Sequence, residues 1–119
     1  MNIEEFRSYC LSKQGVTEEF PFDESTLVFK VMGKMFALTS LDRVPLQASL
    51  KCDPERALEL REIYDGSITG AYHMNKTHWN TLHLEENLPQ KLLIELIDHS
   101  YDLVVAGLTK KLKTDLEGL

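Results

Sequence analysis

Residues 25–41 read STLVFKVMGKMFALTSL, two runs of β-branched, aromatic and aliphatic residues on either side of Met32-Gly33. Such runs on both sides of a glycine predict a hairpin, because glycine adopts the positive φ that a tight two-residue turn requires. The hairpin commits the chain to a sheet and excludes an all-helical fold. With a two-residue turn, Val31 faces Lys34, Phe29 faces Phe36 and Leu27 faces Leu38 on one apolar face. The opposite face then carries Val28, Lys30, Met35, Ala37 and Thr39.

The rest of the chain supplies partners for that sheet. PLQASLKC, residues 45–52, alternates as a third strand with Leu46, Ala48, Leu50 and Cys52 inward. DPERALELREIYDG follows as a helix: Asp53 caps it, Pro54 occupies the first turn, Ala57, Leu60, Arg61 and Tyr64 form a stripe, and Gly66 stops it. Two short strands are predicted over 67–73 and 79–84, joined by MNKTH. A first helix over 3–13 carries an Asn2/Glu5 capping pattern and ends at Gly15. In VTEEFPF, Pro21 argues for an extended or turning path. A last helix from Pro89 has its core stripe at Leu92, Leu93, Leu96, Ile97, Tyr101, Val104, Val105 and Leu108. Gly107 and Lys110, Lys111 and Lys113 mark its end, and 113–119 is expected to fray.

The order is α-β-β-β-α-β-β-α, with no repeat or linker. It predicts a single two-layer α+β domain over 1–119, a largely antiparallel sheet with helices on one face and the other face open. No apolar run is long enough for a membrane span, and the acidic start MNIEEFRSYC is unlike a secretory leader, so the expected compartment is cytoplasmic. Cys10 and Cys52 are far apart and read as buried, reduced thiols.

The net charge of -6 is unlike that of a protein living on phosphate backbones. The charge is uneven, however. Residues 1–24 hold six acidic and two basic side chains and residues 85–119 hold seven and four, whereas the strand-like segments between, without 53–65, carry Lys30, Lys34, Arg43, Lys51 and Lys76 against Asp42.

GAYHMNKTHWNTLHL, residues 70–84, concentrates His73, His78, His83 and the only tryptophan, Trp79. A metal site there lacks support, because the spacing of five is not that of a helical ligand pair and no carboxylate or cysteine completes the set. No phosphate loop, nucleophile elbow or Cys-x-x-Cys is present, the adjacent EE pairs diverge on any regular element, and Asp98 and Asp102 read as a solvated helix face. The chain is therefore read as non-enzymatic, without cofactor or resident metal. By parity the open face gathers Lys30, Met35, Thr39, Gln47, Ser49, Lys51, Trp79, Thr81 and His83, a mixture that suits bases and phosphates, a peptide or a second copy, or plain solvent. Asn75 favours a turn, with Trp79 packed beneath it.

The strings GVTEEFPF, TLVFKVMGKMFAL, LKCDPE, YHMNKTHWNT and LIDHSYDLVVAGL resemble the MmcQ/YjbR family of small bacterial proteins, in order from about Gly15 to Lys111. The resemblance implies a two-layer α+β domain of the kind likened to secretion-chaperone and frataxin-type folds. It also implies DNA binding by a double-wing arrangement. Carried onto this sequence, the first wing is the hairpin around Met32-Gly33 with Lys30 and Lys34. The second is the turn His73, Met74, Asn75, Lys76, Thr77 and His78 with Trp79 behind it, and Lys51 is a further candidate contact. Two other readings stand beside this one: a chaperone-like adaptor or homodimer using the open face, and a small-ligand or metal binder using the histidine-rich turn.

Overall fold

The computed structural model describes residues 1–71 and 74–119. Helix α1 (Ile3–Leu11) starts as its capping box dictates: the Asn2 side chain accepts from the Glu5 amide at 2.8 Å and the Glu5 carboxylate accepts from the Asn2 amide at 3.2 Å. Strand β1 (Val16–Glu19) precedes β2 (Thr26–Val31) and β3 (Lys34–Ser40), then β4 (Gln47–Lys51), helix α2 (Pro54–Ile63), β5 (Ile68–Gly70), β6 (Trp79–His83), α3 (Gln90–Ala106) and α4 (Lys110–Glu117). The β2–β3 turn has positive φ at both central positions, +50° at Met32 and +82° at Gly33, the backbone of a type I′ hairpin.

Among the described residues the six strands form one antiparallel sheet in the order β1-β2-β3-β4-β6-β5. Its register defines rows. Leu27, Thr39, Ala48, Leu82 and Ile68 lie side by side, as do Phe29, Ala37, Leu50 and Asn80; both rows face the helices. Helix α3 crosses β2, β3 and β4, α1 packs by β1 and α2 by β5. One core results, in which Phe6 of α1 meets Phe29 edge-on at 5.7 Å between centroids and Leu93, Leu96 and Ile97 press down from α3.

The two-layer α+β architecture therefore stands, with two elements more than expected. VTEE makes an edge strand because the antiparallel pairing Val16–Val31 continues the hairpin outward, while Pro21 falls beyond it. The last eight residues before Gly118 do not fray: Gly107 closes α3, the Thr109 side chain caps a new helix, and Leu116 is buried against Gly15. Lys110 and Lys111 thus open α4 instead of ending α3.

The hairpin register also departs from expectation. Val31 faces Lys34 as expected, but a shift between Phe29 and Lys30 then sets Phe29 opposite Ala37 and Leu27 opposite Thr39. Phe36 is the extra residue of a β-bulge, so it is buried together with its neighbour Ala37, and every later side chain of β3 changes face. Thr39, expected on the open face, turns to the core side, and its hydroxyl donates to the Gln47 carbonyl at 2.6 Å. Ser100 of α3 holds the bulge: its hydroxyl, fully buried, donates to the Phe36 carbonyl at 2.5 Å and accepts from the Lys51 amide at 2.9 Å.

Candidate nucleic-acid interface

Antiparallel order places the Met32-Gly33 turn, the end of β4 and the start of β6 at one end of the sheet. On the open face at that end the register sets Lys30 beside Met35 and Lys51 beside Trp79. Lys34, exposed, opens β3 just past the first turn, and the exposed Asn75, Lys76, Thr77 and His78 form the turn entering β6. The geometry thus brings Lys30, Lys34, Lys51, Lys76 and His78 to one end of the molecule, which charge counts alone could not establish. His73 lies outside the described residues.

The partners of these side chains differ. Lys30 is ion-paired with Glu19 on the neighbouring strand, so its charge is already engaged. Asn75 is occupied in building its turn: its side-chain oxygen accepts from the Thr77 amide at 2.9 Å and its carbonyl from the Trp79 amide at 2.9 Å. The His78 carbonyl accepts from the Cys52 amide at 2.8 Å, tying the turn to the start of α2. Trp79 is only 9% exposed, so its indole serves as the packed base of the turn and leaves little face for stacking.

Arg61 is the support that the sequence concealed. From α2 its Nε donates to the Asn80 side chain at 2.7 Å and its Nη2 donates to the Lys76 carbonyl, so one guanidinium clamps both the buried start of β6 and the turn above it. Gly70 leaves room for this: a Cβ there would lie 3.3 Å from Arg61 Cζ and 3.3 Å from Lys76 Cγ. Sequence periodicity placed Arg61 on the inward stripe of α2. An arginine in that stripe, opposite an Asn that alternation turns inward, was the available signal.

Of the other candidates, His83 sits on the open face with Nε2 3.4 Å from the Gln47 side chain, and its Nδ1, 3.8 Å from Glu86, is buried without a hydrogen-bond partner among the described residues. Among the described residues no group of three His, Cys, Asp or Glu is placed to hold a metal. Burial raises the Cys52 thiol, and raises Cys10 to about 12, so neither is a thiolate at neutral pH. Asp98 is not merely solvated. Burial would raise its pKa, but hydrogen bonds from Lys13 and from the Tyr9 hydroxyl at 2.6 Å outweigh that and hold the carboxyl below its ordinary range. No helix among the described residues is long and apolar enough to cross a membrane.

Across β3 to β5 the open face is concave. A row of Val28, Leu38, Ser49, Thr81 and Thr69 crosses it, and a groove of about 770 Å³ lies over β3 to β5, bounded by the Phe22–Thr26 segment and Arg43 at one end and by Ala71 and Met74 at the other.

Comparison with known proteins agrees with this architecture. Escherichia coli O157:H7 YbdF, an uncharacterized protein, is 44% identical over 93 residues, covering 77% of this chain and 75% of that one. YjbR of Escherichia coli K12, also uncharacterized, is 32% identical over 105 residues, 88% of each chain. The crystal structure of a Deinococcus radiodurans protein with the DUF419 domain superposes with a TM-score of 0.92 at 44% identity, over 98% of this chain and 88% of that one. A Pseudomonas syringae structure does so at 0.74 and 29% identity, over 87% and 98%. The YjbR family model matches residues 11–103, from the end of α1 to the last turns of α3, and the chain belongs to the YjbR family.

Proposed function

We propose that this protein is a non-enzymatic DNA-binding module of the bacterial cytoplasm, gripping a duplex with the two turns at the basic end of its sheet. The observation that carries the reading is the convergence of Lys34, Lys51 and Lys76 at that end, from two turns and a strand terminus, with the backbone of Lys51 tied to Ser100 and that of Lys76 to Arg61. Lysines so placed neutralise phosphates, while Asn75, committed to its turn, shapes the second wing and does not read bases. The acidic balance of the whole chain, a net charge of -6, keeps nonspecific affinity low and makes binding depend on this patch.

The test is a titration with duplex DNA followed by Trp79 fluorescence at several salt concentrations. Three phosphate contacts give a log–log slope of about -2.7, a loss of roughly 40-fold between 50 and 200 mM salt. Lys51→Ala and Lys76→Ala should each weaken binding and flatten the slope by about 0.9. Binding that is absent at low salt, or that both variants leave unchanged, rejects the reading.

A further inference from the structure

We infer that the groove on the open face is a binding site for a small amphipathic carboxylate, reaching from the Arg43 end of the sheet to Met74 of the second turn. Its volume of about 770 Å³ falls in the range of small-ligand sites. Its surface has two characters. Met35, Leu38, Met74 and Phe22 offer apolar contact, while the hydroxyls of Ser49, Thr81 and Thr69 form a polar strip across β4, β6 and β5. Ser49 and Thr81 lie 3.3 Å apart, so one hydrogen satisfies the pair and the other hydroxyl proton is left for a ligand.

Charge selects the ligand class. The described lining holds one cation, Arg43, which makes no ion pair among the described residues, and one anion, Asp23. The Asp23 oxygens are taken up locally, accepting from the Ser25 amide at 2.9 Å and the Thr26 amide at 2.6 Å. Arg43 therefore stands as the unspent charge of the groove, suited to a planar carboxylate. No lysine or helix N-terminus belongs to the described lining to add the second charge that a phosphate monoester favours. Walls at both ends fit a compact ligand better than an extended strand running through. Lys30, Lys34, Lys51 and Lys76 are not part of the described lining, so substitutions of them and of Arg43 distinguish the two readings although Met74 of the second turn lines the groove.

The experiment is an amide NMR titration of the intact chain with 1-naphthoate and, as its uncharged counterpart, 1-naphthamide. Saturable shifts are expected at Ser49, Thr69 and Thr81, with the amide about tenfold weaker. Arg43→Gln, at an exposed loop position, should reduce naphthoate to the affinity of naphthamide, whereas Lys91→Gln, which removes the same charge on α3, should change nothing. Equal binding of the two probes, indifference to Arg43→Gln, or no shifts at millimolar probe overturns the inference. So do shifts at these residues that follow protein concentration without probe, which would mean that a second copy occupies the face.

Discussion

Ser100 shows how one hydroxyl can decide the shape of a sheet. Bulging β3 at Phe36 leaves that carbonyl and the facing Lys51 amide without each other, and a side chain from the opposite layer replaces both bonds. In Ser100→Ala the two backbone groups stay buried and lose their partner, which costs about 2 kcal/mol. Urea unfolding should show this as a lower midpoint with an unchanged m-value, and a loss below about 0.5 kcal/mol would mean that water or a relaxed bulge replaces the hydroxyl. Ser100 could not be singled out in LIDHSYDLVV, because its partners lie 64 and 49 residues away. The same distance problem hid Lys30: its lysine was legible as part of a basic middle, but its engagement by Glu19 depends on a strand pairing that local pattern did not reveal.

At the level of elements, α2 and α3 are joined by a contact that senses protons. His99 of α3 accepts through Nε2 from the Asp53 amide at 3.1 Å, a role only an unprotonated nitrogen can fill. Burial and then Arg56 lower its pKa from the ordinary 6.5, against the opposing pull of Asp53, Asp102 and Glu95. A lowered folded-state value means the unfolded chain takes up the proton more readily. The stabilisation is therefore complete above about pH 6.5 and is lost as pH falls through the depressed value. His99→Gln keeps an acceptor without titrating, so between pH 7 and 5 it should lose less stability than the parent protein. Parallel thermal-midpoint curves would show that this contact does not drive the pH response. The elements themselves were largely legible where their signals are local. The Asn2/Glu5 box, the Asp53-Pro54 start and the Met32-Gly33 turn each form from adjacent residues. Strand β1 and helix α4 were not, because VTEE gains its partner from β2 and α4 is docked by burying Leu116 beside Gly15.

Across the whole molecule, an acidic chain brings Lys30, Lys34, Lys51 and Lys76 to one end of the sheet, Lys30 and Lys51 on its open face and Lys34 on the other, and Glu19 tempers even that patch. If the DNA reading holds, removing this single carboxylate should act as more than a change of net charge. Glu19→Gln frees Lys30 beside Met35, in line with Lys51 and the two turns, and so adds a phosphate contact. The salt slope should steepen by roughly 0.9, with tighter binding at low salt. Glu24→Gln gives the control: it removes the same charge from an exposed loop position that makes no ion pair among the described residues, and should leave the slope unaltered. Equal effects of the two substitutions would mean that long-range charge, not the geometry of the basic end, governs binding. A flat response to Glu19→Gln would remove Lys30 from the interface and confine the contact to the two turns and the end of β4.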